Sequence, residues 1–169
     1  MGLITYLRTD SVRVSDEAKA AAASYVTEEF GEEYSANNIF SSKRKDVQDA
    51  HEAIRPSDVN LKPEGIKEYL SGDQFKLYKL IWTRFVASQM AAARYDSMQV
   101  DIENGKYRFR ANGSKRLFDG YQKVYKTADE EKDNLLPELN EGEELKLIDI
   151  KGEQNFTQPP ARFTEASLV

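Results

Sequence analysis

The hydrophobic pattern changes its period once, and that change sets the fold class. Between residues 75 and 90, Phe75, Tyr78, Trp82, Phe85, Val86, Gln89 and Met90 recur at helical spacing. A stripe of this kind builds the core-facing side of a long helix. From residue 98 the period falls to two. Met98, Val100 and Ile102 alternate with polar residues, Asn104-Gly105 intervenes, and Tyr107, Phe109 and Ala111 alternate on the return. Alternation around Asn-Gly predicts a β-hairpin. The expected fold is therefore α+β: a helical domain over 1–94 followed by a β-rich segment over 95–169.

Boundary signals refine this reading. Residues 2 to 9 read as extended. Ser15 is a suitable N-cap, with Asp16 and Glu17 in the first turn and Gly31 as the stop. A loop is expected over 32–45 and a short helix over Val47 to Ile54, ending before Pro56. Pro63 opens a further helix with Ile66, Tyr69 and Leu70 on one side, and Ser71 caps the longest helix, near Asp73 to Arg94. With Asn104-Gly105 as the two turn residues, Glu103 faces Lys106, Ile102 faces Tyr107, Asp101 faces Arg108 and Val100 faces Phe109. Leu117-Phe118 and Val124-Tyr125 suggest one or two more strands. An acidic linker follows over 127–143, then a strand through Leu145, Leu147 and Ile150, and a helix beginning at Thr164.

Composition narrows the function classes. Hydrophobic residues make up 40% and charged residues 31%, which is a globular and not a disordered balance. No apolar run reaches the length of a membrane span. Cysteine is absent, which excludes disulfides and thiolate metal sites and is compatible with a reducing cytoplasm. The net charge of −5 is unevenly spread: residues 129–153 alone carry −7, leaving +2 elsewhere. Residues 106–126 carry seven bases against Asp119 alone. Such a local field can attract phosphate whatever the total charge, and an ordinary solvated surface accounts for the same bases.

Few side chains offer chemistry. There is no phosphate-binding Gly-rich loop, no G-x-S-x-G, no H-E-x-x-H and no dinucleotide fingerprint, and no metal constellation is visible. The only histidine, His51, stands four residues before Arg55. On a helix the two would share a face able to hold a phosphate; capping or a salt bridge is the competing role. Near the amino terminus Tyr6 and Arg8 are two residues apart, so in an extended segment they share a face. A phenol, with a reference pKa near 10, is a weak nucleophile at neutral pH, and a nearby guanidinium would stabilise both a phenolate and the phosphate it attacks. Many edge strands also place Tyr beside Arg without chemistry.

Four blocks, taken together, resemble a known family. GLITYLRTDS (2–11) and DAHEAIRPSD (49–58) resemble the type IA DNA topoisomerases. LYKLIWTRFVASQM (77–90) and FTQPPARFTEASLV (156–169) resemble the bacterial topoisomerase I branch. Leu7 follows the tyrosine where topoisomerase III enzymes usually carry proline; reverse gyrase shares the same core. The resemblance implies that Tyr6 attacks a DNA phosphodiester to leave a 5′-phosphotyrosyl bond and a free 3′-hydroxyl, without ATP. It implies that Arg8 positions the phosphate, that His51 and Arg55 contact the DNA backbone, and that Thr5, Thr9 and Asp10 line the same site. It also implies a winged-helix-like helical domain bearing the tyrosine and a β-rich arch that hinges it. Single-stranded or underwound DNA is the implied partner, in a bacterial cytoplasm. Mg²⁺ would be held by a Toprim domain ahead of this segment, whose acids are not found here; Met1 would then be an added start and the chain an excised piece, inactive alone. The alternative is a noncatalytic module, binding nucleic acid or protein, on the same domain.

Overall fold

The computed structural model describes residues 2–36, 38, 40, 51–126 and 134–168. They divide into two units, Met1–Leu136 and Pro137–Val169. The loop expected over 32–45, the helix over Val47 to Ile54 and the linker over 127–143 fall partly outside the described residues.

In the first unit, α1 spans Asp16–Phe30. Its N-cap is Ser15, whose hydroxyl accepts the Ala18 N–H at 3.3 Å, and Gly31 at φ 110° ends it. The long helix α2 spans Gly72–Ser88 and starts with a capping box, in which the Ser71 hydroxyl and the Gln74 side chain each accept the other residue's backbone N–H. The core lies between these helices. Ala18, Ala22, Tyr25 and Val26 of α1 are buried with Tyr78, Trp82, Phe85 and Val86 of α2, and Tyr25 meets Trp82 edge to face at 5.6 Å. Small residues on one turn of α1 leave room for the large rings of α2. Two polar tips fix the intervening chain to α2: Trp82 Nε1–H donates to the Val59 carbonyl at 2.8 Å and the Tyr78 hydroxyl to Leu61 at 2.7 Å. Burial pushes the Tyr78 phenol up to about 12.

α2 stops at Ser88, six residues before the expected end at Arg94. The cause is a competing set of partners from far away in sequence. Asn38 Nδ2 donates to the carbonyls of Ser88 and Met90, both at 2.9 Å, while the Ala36 N–H donates to Gln89 and the Ala91 N–H to Tyr34. These bonds replace those a continued helix would make. The segment opened by Pro63 is a 3-10 helix, Pro63–Tyr69, not an α-helix.

Strands β1 (Arg94–Asn104) and β2 (Tyr107–Phe118) form an antiparallel hairpin, longer than the alternation marked. Its register differs from the expected one. Asn104 pairs with Tyr107, Glu103 with Arg108, Ile102 with Phe109, Asp101 with Arg110 and Val100 with Ala111. The turn residues are thus Gly105-Lys106. Gly105 has φ 59° and among the described residues no non-glycine has positive φ, which is the sign pattern of a II′ turn and excludes the I′ turn that Asn104-Gly105 would need. Each partner moves by two residues, so the faces are unchanged. Glu103 and Asp101 still meet cations, now Arg108 and Arg110, the latter through two bonds of 2.7 and 3.1 Å.

β2 leads to a 3-10 turn, Gly120–Lys123, so Val124-Tyr125 is not a strand. This turn seats on the α2–β1 connection: the Tyr121 N–H donates to Ala91 at 2.9 Å, the Tyr34 hydroxyl to Asp119 at 2.7 Å and the Tyr95 hydroxyl to Gln122 at 2.7 Å. In the second unit Gly142 takes φ 80°, and α3 is a single turn, Glu165–Leu168, starting after Thr164 as expected. Leu145, Leu147 and Ile150 are exposed and not in a strand. Among the described residues of their unit there is no neighbouring strand to supply ladder bonds.

Candidate nucleic-acid site around Tyr6

Tyr6 sits at the end of a short extended segment held by a distant one. Residues 2–5 run antiparallel to 53–57: Thr5 N–H donates to the Arg55 carbonyl at 2.9 Å, Ser57 N–H to Leu3 at 2.9 Å, and the Ser57 hydroxyl to Gly2 at 2.8 Å. The Thr5 hydroxyl donates to the Ala53 carbonyl at 2.9 Å and accepts the Arg55 N–H at 3.0 Å, so it stitches the two segments. Beyond Thr5 the pairing ends and the chain turns, with the Arg8 N–H donating to the Tyr6 carbonyl at 3.0 Å. Tyr6 is left 81% exposed on this turn.

Arg8, two residues on from Tyr6, comes together with Asp10 and His51. Arg8 Nη1 lies 3.1 Å from His51 Nε2, and Arg8 Nη2 3.4 Å from Asp10 Oδ2. A guanidinium only donates, so Nε2 accepts, which assigns the ring proton to Nδ1. That nitrogen is 3.2 Å from Asp10 Oδ2, though not aligned for a hydrogen bond. Thr9 is exposed on the same loop.

The 51–55 segment is not the helix expected from Val47 to Ile54; among its described residues, 51–54, there is no helical turn. His51 and Arg55 therefore share no helix face. The segment's backbone groups bond Thr5, Ser11 and Arg13 instead, and the Glu52 side chain reaches Ser15. The Ser11 hydroxyl donates to the His51 carbonyl at 2.8 Å, the Ala53 N–H to Arg13 at 2.8 Å, and the Ser15 N–H to Glu52 Oε1 at 2.7 Å. Arg55 turns to Glu52, with Nε to Oε1 at 3.1 Å and Nη2 to Oε2 at 3.0 Å, while Nη1 donates to the Pro56 carbonyl at 3.0 Å. Burial acts to raise the Glu52 carboxyl, but the bonds from Arg55 and Ser15 outweigh it and hold the group below its ordinary 4.5. Of the roles the sequence leaves open, Arg55 takes the salt bridge, and Ser15 is the N-cap as expected; the bonds of Ser11 to His51 and of Ser15 N–H to Glu52 have no signal in the spacing.

A pocket of about 350 Å³ touches Arg55 and Asp58 but none of Tyr6, Arg8, Asp10 or His51. The cluster is part-exposed: the Arg8 side chain is open to solvent, while Asp10 and His51 are half-buried. Among the described residues no three His, Cys, Asp or Glu side chains gather to hold a metal, and no helix is long and apolar enough to cross a membrane.

Comparison with known proteins identifies the class. The family described as DNA topoisomerase matches residues 1–169, and the chain belongs to that family. Within it the chain is of the bacterial type IA topoisomerase I kind. It is 46% identical to full-length topoisomerase I from Thermotoga maritima, whose solved structure it matches with a TM-score of 0.69 over 83% of its own length. It spans 22% of that protein.

Proposed function

We propose that this chain is the strand-cleaving gate segment of an ATP-independent DNA topoisomerase, an isomerase that relaxes negatively supercoiled DNA. Tyr6 Oη attacks a backbone phosphorus. The new Oη–P bond replaces the bond to the 3′ oxygen, which leaves as a hydroxyl after taking a proton, and the phenol gives up its own. Resealing is the reverse. Arg8 stabilises the charge that builds on the phosphoryl oxygens, and donors of this kind are commonly worth about 10²–10³ in rate. His51 and Asp10 hold Arg8 at the tyrosine, Thr9 lies on the DNA side of the loop, and Thr5 ties the tyrosine's segment to Arg55.

The observation that carries this reading is an exposed phenol at the end of a bonded segment, two residues from a guanidinium paired to both His51 and Asp10, in a chain of this family. The helical region would be the winged-helix-like tyrosine domain (1–94) and the hairpin onward the arch (95–169), acting on single-stranded or underwound DNA in a bacterial cytoplasm. Mg²⁺ and the Toprim domain that would hold it belong to the same proposal. This chain's own residues do not fit such a site, because Asp10 faces Arg8 and His51, and no step here runs through the ion.

The test is reconstitution. The 169-residue chain alone should not relax supercoiled plasmid with Mg²⁺; supplied with the Toprim region it should cleave, and Tyr6→Phe should abolish the cleavage. Relaxation by the chain alone, or cleavage that survives Tyr6→Phe, would overturn the proposal.

A further inference from the structure

Arg55 stands in a motif that invites a phosphate contact, yet its side chain is committed elsewhere. Its fork is filled by the Glu52 carboxylate, a third N–H is taken by the Pro56 carbonyl, and its side chain is only 16% exposed. Bidentate pairs of this kind define geometry as well as energy. Glu52 is anchored in turn: the oxygen that accepts Arg55 Nε also accepts the N–H of Ser15, the N-cap of α1. At the other end, the Arg55 backbone N–H and carbonyl both bond Thr5, the residue before Tyr6. The described residues 51–54 make no helical turn that would hold them in place. The pair thus bridges the start of α1, the tyrosine's segment and the stretch that carries His51.

We propose that Glu52 and Arg55 are a positioning pair: they fix His51 against Arg8 and set its distance from Tyr6, and Arg55 does not itself touch DNA. The proposal rests on the reading of the Tyr6 cluster as the cleavage site, and deepens it.

Three readouts test it. His51 is the only histidine, so its imidazole resonances in the isolated chain are unambiguous. Glu52→Gln and Arg55→Gln should both shift them, while circular dichroism shows the helices retained. Arg55→Lys, which keeps the charge but not the fork, should shift them as well. In salt titrations of single-stranded oligonucleotide binding, a lost phosphate contact would flatten the slope by about 0.7; Arg55→Gln should leave it unchanged. In the assembly with the Toprim region, either single variant should slow cleavage of bound DNA by up to about a hundredfold, and the double variant should be no slower than the worse single one.

Unchanged His51 resonances in both single variants would overturn the proposal, as would a flattened salt slope in Arg55→Gln or multiplicative losses in the double variant. The resonance test needs no DNA and decides the matter even if the chain binds weakly. Failure of the cleavage reading itself shows separately, as adduct formation that survives Tyr6→Phe.

Discussion

Gly120 should be the least replaceable glycine in the first unit, and the structure supplies its own control. Gly120 has φ 49°, and a Cβ built there would lie 2.4 Å from the Ala91 carbonyl oxygen and 2.7 Å from the Ala92 carbonyl carbon and oxygen. All three are backbone atoms, and the same Ala91 oxygen accepts the Tyr121 N–H, so it has no freedom to retreat. Gly105 has φ 59° with nothing within 4 Å of its Cβ position. Positive φ is a strained conformation for an alanine, costing about 1–3 kcal/mol at either site. Overpacking at Gly120 adds roughly 1–3 kcal/mol, because backbone must move. Urea titration of Gly105→Ala and Gly120→Ala should therefore show both destabilised, with Gly120→Ala worse by about 1–3 kcal/mol at an unchanged m-value. Equal losses would refute the argument that close approach of the two connections, and not backbone conformation alone, requires glycine here.

The remaining expectations concern the site. Thr5→Ser keeps the hydroxyl that stitches residue 53 to 55 and should be nearly neutral, whereas Thr5→Val strands the Arg55 N–H and should cost about 1–3 kcal/mol in urea. Glu52 titrates below its ordinary 4.5 in the folded chain, so the ionised group stabilises the fold above that pH, and the contribution is lost as pH falls through the lowered value. The stability advantage of the native chain over Glu52→Gln should accordingly be full at pH 7 and shrink at pH 3.5; an advantage that grew on acidification would contradict the sign. Arg8→Ala in the assembly with the Toprim region should slow cleavage by about 10²–10³ while weakening oligonucleotide binding far less, and equal losses in both would remove Arg8 from the transition state.

What was readable in the sequence was whatever local chemistry decides. Ser15 and Ser71 announced their helices because a hydroxyl at the N-cap meets N–H groups two or three residues away. The hairpin announced itself through alternation, but not its register: Lys106, Arg108 and Arg110 lie on one face, so opposite charges meet in either alignment, and only the sign of φ at Asn104 separates the two turns. What was missed depends on distant partners. Ala91, Ala92 and Ala93 are good helix formers, yet Tyr34, Ala36 and Asn38 claim the hydrogen bonds around them. His51 to Ile54 follows a helix-like pattern, but its backbone bonds run to Thr5, Ser11 and Arg13. The same holds at the site. Tyr6 and Arg8 could be paired by spacing alone, whereas the meeting of Arg8 with His51 and the diversion of Arg55 to Glu52 needed the fold.

The most direct test is to locate the DNA on the protein. Trypsin should release residues 1–8 as a peptide whose only tyrosine is Tyr6. After cleavage is trapped in the assembly with the Toprim region, mass analysis should find the nucleotide on that peptide and nowhere else. A nucleotide on Tyr69 or Tyr107, which are also exposed, or on any side chain other than Tyr6, would contradict the account.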